Sequence, residues 1–438
     1  MKKRTWIIPA LLLLLTWGAA AQTDAAAVRE AVRSDRTLAY GLDRPYDLNP
    51  KTLTPSPKGY EPVYISHYGR HGSRYAYTAK TYTVLLEMLR EGREKDNLTA
   101  RGVKLLEDLE AFWEKGRYQV GDLTPLGWEQ LGGIGSTMVH NYPSAFRKGS
   151  RVDACSSSSI RSVLSMSSCC GAISREAPKT SVYAHQSILD IQATRPNIGD
   201  RNPFRYTGPE IGFPYPENSE EFFLRHFPIY PEVLGRLFKD PSAALGKRSA
   251  YDVFFYYYMF IVGMNSLPAA ERIDVEGLLT DDELAILWET DNYERFREYL
   301  PYRISCSSIV DDIISKADAR LSERSRGADL RFGHDHVAMA LFMIMDLDGF
   351  GNIPASADAL IGSFQTYRSP MATNIQFIFY TPKRGRAGET LVKVLLNGEE
   401  ARLGTLTPKD GPYYSWSEAK EYLSGRVDLF VNKDAPGE

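Results

Sequence analysis

The residue types best suited to chemistry stand together in Arg70-His71-Gly72-Ser73-Arg74. Two guanidinium groups can bracket one phosphate with forked hydrogen bonds, glycine lets the backbone come close, and an imidazole lies between them. Phosphoryl transfer asks for little more: a positioned nucleophile, cations around the equatorial oxygens and an acid for the leaving oxygen. By composition alone the cluster also fits an arginine-rich turn on a solvated surface, so its meaning depends on partners elsewhere in the chain. Arg161, after a run of four serines, and His334-Asp335-His336 are candidates for that partnership.

Such residues need elements to carry them. Residues 61–66 read as a short apolar strand running into Tyr68-Gly69-Arg70-His71-Gly72, and function-bearing loops follow such strands in α/β proteins. Amphipathic helices are expected at 78–90 and 99–115, the second with Val103, Leu106, Leu109 and Phe112 at helical spacing. Thr124-Pro125-Leu126 marks another helix start, with threonine as the cap and proline at the first helical position. A strand at 151–155 leads into the helix that holds Arg161. Residues 328–333 and 337–347 read as a strand and a buried helix, and 376–381 with 390–396 as a hairpin around Lys383-Arg384-Gly385-Arg386. From about 187 to 327 the pattern turns to proline-bearing loops and aromatic helices. One of these carries Phe254-Phe255-Tyr256-Tyr257-Tyr258, read as core rather than as a ligand box. The expected fold class is α/β. A three-layer α/β/α core with a central mixed sheet takes 22–186 and 328–438, and an inserted, mainly α-helical lobe takes 187–327.

Met1-Lys2-Lys3-Arg4, an apolar run from Trp6 to Trp17 and small residues up to Ala21 have the three-part layout of a secretory signal peptide over residues 1–21. The run is well short of the roughly 20 apolar residues that cross a bilayer, and no later segment is long enough. An exported product, periplasmic or secreted and without a membrane span, is therefore expected, with an uncleaved anchor as the alternative. About 415 residues would remain, more than one typical core. A hydrophobic content of 43% supports a folded chain, and a formal charge of −3 gives no global basic field. Neither nucleic acid nor a membrane surface is expected as a partner, so a small anionic substrate must be recognised locally. The four cysteines, Cys155, Cys169, Cys170 and Cys306, could pair in an exported protein. They are too few and too uneven to define a disulfide framework or a zinc site. Asp346 and Asp348 before Gly349 suggest part of a calcium loop, but the later glutamate is missing and the segment reads as a helix-ending turn.

The first cluster resembles the signature of the histidine phosphatase superfamily, branch 2, which holds acid phosphatases, phytases and multiple inositol polyphosphate phosphatases. Three more segments are similar to that family in the same order. They are Leu123-Thr124-Pro125-Leu126-Gly127-Trp128-Glu129-Gln130-Leu131, which in the family precedes a helix packed beside the site, then Ser158-Ser159-Ile160-Arg161-Ser162-Val163-Leu164-Ser165, and then Phe332-Gly333-His334-Asp335. The resemblance implies a phosphoric monoester hydrolase in which His71 becomes phosphohistidine. Arg70, Arg74, Arg161 and His334 would hold the phosphoryl oxygens, and Asp335 would be the general acid. It implies no cofactor and no metal, since guanidinium groups supply the positive charge. A carboxyl beside a bound anion should have its pKa raised, and a histidine among arginines should stay neutral. Other readings stand beside these: Arg161 could pair with a core carboxylate, and His334 with His336 could form an H-x-H metal pair. His67, four residues before His71, is expected to support it.

Cues to the substrate disagree. Ala76 stands where phytases commonly have proline, while Tyr75 resembles the "RHGxRY" of the inositol polyphosphate phosphatase group; that group usually has "HAE" where this chain has His334-Asp335-His336. Inositol polyphosphates such as phytate are the first expectation. Arg195, Arg201 and Arg205 are candidate specificity contacts, with Lys383, Arg384 and Arg386 as further ones and surface solvation as the alternative for all six. Competing activities are a broad acid phosphatase on sugar or nucleoside monophosphates, a phosphohistidine mutase or transferase, and a non-catalytic phosphate-binding protein.

Overall fold

The apolar run at 61–66 is the middle of an 11-residue strand, β1 (Tyr60–Arg70), in the computed structural model, which describes residues 24–197 and 206–431. The expected signal peptide lies outside the described residues, as do Arg201 and Arg205. Before β1 comes α1 (Ala25–Ser34), and after it α2 (Lys80–Glu94), α3 (Ala100–Gly116), α4 (Pro125–Asn141), β2 (Arg151–Ser156), α5 (Ile160–Glu176) and β3 (Ser181–His185). A helical stretch follows: α6 (Ile191–Thr194), α7 (Ser219–His226), α8 (Tyr230–Leu234), α9 (Pro241–Leu245), α10 (Ala250–Gly263), α11 (Asp281–Tyr299) and α12 (Tyr302–Ser322). The chain then forms β4 (Gly327–Gly333), α13 (Asp335–Met345), β5 (Asn374–Pro382), β6 (Leu391–Leu396), β7 (Glu399–Ala401), β8 (Tyr413–Ser415) and α14 (Trp416–Asp428).

One mixed sheet takes the order β3-β2-β4-β1-β5-β6-β7, with β8 paired to β6. β3, β2, β4 and β1 are parallel, and β5 joins β1 antiparallel. Side chains alternate across a strand. Ile375, Phe377 and Phe379 of β5 enter an apolar cluster with α12, α13 and α14, whereas Ile378 and Tyr380 enter another with α4 and α5. Helices thus cover both faces of the sheet and make the expected three layers. Polar residues in β4 are buried with partners: Arg331 Nε donates to Asp312 at 2.6 Å, and Asp329 accepts from Arg320 and Tyr64. β1 extends past residue 66 because Tyr68, Gly69 and Arg70 pair with Arg331, Phe332 and Gly333 of β4.

A third cluster lies among helices, joining Leu85 and Leu89 of α2, Leu105 and Leu109 of α3, Phe254, Tyr257 and Tyr258 of α10, and Trp288 of α11. The aromatic run is therefore mostly core. The buried stripe of α3 is rotated from the expected one: Val103 is exposed and Leu105 buried. Gly102 sets this rotation, because a Cβ there would lie 2.2 Å from the Leu237 carbonyl oxygen. Thr124 caps α4 by accepting from Gly127 N, with Pro125 in the first turn as expected. All four cysteines are free and buried. Asp346 closes α13 in the left-handed conformation and accepts from Gly351 N, so this segment is a helix-ending turn. Among the described residues no helix is long and apolar enough to cross a membrane.

Candidate active site

Three adjacent parallel strands end together and deliver the sequence motifs to one place. Arg70 pairs with Gly333 and Ser156 with Phe332, so the chain leaving β1, β4 and β2 presents His71, His334 and the Ser157–Arg161 turn side by side. The His71 and His334 ring centroids are 5.6 Å apart, and His334 Nε2 lies 2.9 Å from Ser157 Oγ. The backbone fixes the loop from both sides: His71 N–H donates to the Gly333 carbonyl, and Ala372 N–H donates to that of His71.

The second motif is the floor of this loop. A Cβ on Gly72 would sit 2.4 Å from the Gly127 carbonyl oxygen, and one on Gly127 would sit 2.2 Å from that of Ser73. Neither position has room for a side chain. Gln130 Oε1 accepts from Ser73 N at 2.9 Å, Thr124 N–H donates to the Ser73 carbonyl, and Ser165 Oγ accepts from Gly72 N at 3.1 Å. Thr124, Gly127 and Gln130, the cap and the first two turns of α4, act together as a clamp.

His71 Nδ1 lies 2.9 Å from the Gly72 carbonyl oxygen, which can only accept, so Nδ1 is assigned the proton and Nε2 the lone pair. Burial, then Arg161, Arg70, His334 and Arg74, hold its pKa well below the ordinary 6.5. The imidazole is therefore neutral, as a nucleophile must be. Around it the guanidinium groups carry unused donors. Arg70 is fully buried and gives Nη1 to the Leu42 and Ser369 carbonyls, but its Nε and Nη2 have no hydrogen-bond partner. The Nε atoms of Arg74, Arg161 and Arg195 are likewise buried without one. Burial and Arg74 push Arg161 down to about 10. Buried charged donors without acceptors are costly, and an oxyanion is a ligand whose oxygens would satisfy them.

Asp335 opens α13. Its Oδ2 accepts from Tyr299 OH at 3.3 Å and lies 3.5 Å from Arg70 Nη2, while its Oδ1 lies 3.5 Å from His336 Nδ1. The raised pKa expected of this carboxyl belongs to the state with an anion beside it; with the protein neighbours alone, Arg70 and His336 outweigh burial and keep it well below its ordinary range. A phosphate dianion placed beside it would work against them. The His334 and His336 rings stack 5.4 Å apart, but His334 Nε2 meets Ser157 and His336 Nε2 meets Asn197 Oδ1 at 3.2 Å, so these nitrogens serve separate protein partners.

The sequence matches no family model and no curated protein sequence. Its structure does resemble solved ones. A multiple inositol polyphosphate phosphatase from Bifidobacterium longum, in complex with inositol hexasulfate, aligns with a TM-score of 0.69 at 18% identity, covering 90% of this chain and 99% of that one. The chain has the histidine phosphatase fold. A phytase from D. castellii aligns at TM-score 0.64 and 13% identity over 89% of this chain and 85% of its own. A Hafnia alvei phytase aligns at 0.51 and 10% over 85% and 98%. Within that fold the site holds His71, His334, Asp335, Arg70, Arg74, Arg161 and, beside His334, Arg195. Arg161 has no ion pair with a carboxylate among the described residues. Lys383, Arg384 and Arg386 are far away: Pro382 pairs with Tyr60 at the opposite end of β1, about 35 Å of strand from His71. Asp43, Gln130, Asn197, Tyr299 and His336 also belong to the site region; Gln130 and His336 stand in segments singled out from the sequence, whereas Asp43, Asn197 and Tyr299 do not.

His67 does not support His71. It packs on Phe332 with ring centroids 5.2 Å apart, is fully buried, and neither ring nitrogen has a hydrogen-bond partner. Burial, with Arg331 adding to it, pushes its pKa down from 6.5 to about 3. The unfolded chain takes this proton near pH 6.5 and the folded chain only near 3, so stability is lost as pH falls between them. That loss is roughly 2–3 kcal/mol by pH 4.5. His67→Leu should remove it, so urea unfolding at about pH 7 and pH 4.5 should show a smaller acid loss in the variant by that amount. Equal losses in variant and parent would sink this assignment.

Proposed function

We propose that the chain is an exported phosphomonoesterase that forms phosphohistidine on His71 Nε2, with inositol polyphosphates such as phytate as its substrates. The observation that carries this reading is a neutral imidazole, its Nδ1 tied to a carbonyl, among guanidinium groups with unused buried donors. The phosphoryl group would lie between Arg70, Arg74, Arg161 and His334. Nε2 attacks phosphorus in line as the ester oxygen departs, and Asp335 gives that oxygen a proton. Water then attacks the phosphohistidine, with Asp335 as the base. Export rests on residues 1–21. The substrate class is supported by the inositol hexasulfate bound to the Bifidobacterium longum protein and by Arg195 as a further cation next to His334.

The test is phosphate release by the chain from Gln22 onward, on phytate and on a simple monoester, with a chelator present and His71→Ala as control. The expected result is His71-dependent release with the higher kcat/KM on phytate. The acid limb of kcat/KM should lie below pH 6.5, because His71 stays neutral there. A preference for the monoester would move the function to a broad acid phosphatase, transfer only to an acceptor alcohol would make it a transferase, and no release from either would contradict the hydrolase.

A further inference from the structure

His336 is an imidazole at the site with no part in the steps above. It directly follows Asp335 in the first turn of α13, with Nδ1 3.5 Å from Asp335 Oδ1 and Nε2 3.2 Å from Asn197 Oδ1. Both neighbours offer oxygen acceptors, and the Asn197 amide also serves Tyr302. An imidazole between two acceptors satisfies both only when both of its nitrogens carry protons. Its side chain keeps 14% of its exposure, against 2% for the His334 residue stacked on it, so it is the member of the pair that can exchange protons with solvent. The groups facing the pair are Arg70 from β1, Tyr299 from α11, Tyr302 from α12, and His334 at the end of β4. Arg195 after α6 acts on His334 and Tyr302, Glu298 acts on both tyrosines, and His71 lies across the site.

We propose that His336 and Asp335 share one transferable proton, which makes His336 the positioning residue that keeps the general acid loaded. This rests on the phosphohistidine reading above. Before substrate binds, the proton is on His336 and faces an Asp335 carboxylate. A phosphate dianion arriving beside Asp335 draws the proton from His336 Nδ1 to Oδ1, leaving neutral imidazole and carboxylic acid. The N–P bond to His71 then forms as the ester O–P bond breaks, and the leaving oxygen takes the proton from Asp335. In the second half, water forms an O–P bond as the N–P bond breaks, and its proton passes to Asp335 and so back to the pair.

The test compares the parent with His336→Ala and His336→Gln on two substrates over about pH 4 to 8. Glycerol 2-phosphate must expel an alkoxide, which needs a proton, whereas p-nitrophenyl phosphate expels a stable phenolate. Glutamine can still donate a hydrogen bond to Asp335 but holds no transferable proton, so it separates proton sharing from mere support. Both variants are expected to lose roughly 10²-fold in kcat/KM on the alkyl ester and less than about threefold on the aryl ester. The basic limb on the alkyl ester should move to lower pH, because the carboxyl then keeps its proton alone beside Arg70. Rescue by glutamine, equal losses on both esters, or an unmoved limb in an active, His71-dependent parent would overturn the pairing alone. A parent that releases no phosphate would overturn the phosphohistidine reading and the pairing with it.

Discussion

Replacing His71 with alanine is expected to lower kcat by roughly 10⁴-fold or more, because it removes the atom that, in the proposed mechanism, forms the new bond to phosphorus. Arg70, Arg74 and Arg161 remain, and with them the donors that have no protein acceptor. Binding of inorganic phosphate should therefore persist within a few-fold of the parent, which separates loss of the nucleophile from loss of the pocket. Steady-state assays and calorimetric phosphate titration of the same preparation check both parts. A variant keeping more than about a hundredth of the parent kcat would contradict the role of His71.

The second large effect is expected at Gly72. An alanine methyl there would meet Gly127 O at 2.4 Å and Gly127 Cα at 2.6 Å, and both are backbone atoms of a helix turn that Thr124 and Gln130 also fasten to the loop. Relief requires the loop and α4 to separate. We expect Gly72→Ala to cost about 2–4 kcal/mol in stability and, through displacement of His71, about 10²-fold in kcat. Gly171 of α5 is the internal control, since its Cβ would meet only Arg175 Nη1 at 3.7 Å. Gly171→Ala should be neutral or stabilise by about 0.5–1 kcal/mol. Urea unfolding of the two variants beside the parent gives the comparison, and similar values for both would refute the clamp.

The legible part of this site was the part written in short segments. Arg70 to Arg74 are contiguous, Arg161 falls in the first turn of a helix after a strand, and His334-Asp335 ends another strand; parallel pairing of Arg70 with Gly333 does the rest. The fold class followed from the same alternation of strands and helices. What could not be read depends on residues brought in from elsewhere. Tyr299 reaches Asp335 from α11, Arg70 and His336 hold its pKa below the ordinary range, and Asn197 engages His336 from beyond α6. No local pattern encodes those contacts. His67 shows the converse limit, for its place in the strand puts it against Phe332 and not against the nearby His71. In α3 one close backbone contact at Gly102 was enough to exchange Val103 for Leu105 on the buried face.

The central claim is a covalent phosphoryl group on His71, and the most direct measurement traps it. The chain is mixed with substrate, quenched in alkali, which preserves phosphohistidine, and digested for mass spectrometry. The account predicts one phosphoryl group on the peptide containing His71, lost on brief acid treatment and absent from His71→Ala. A phosphoryl group on His334 or another residue, or full turnover with none on His71, would contradict it.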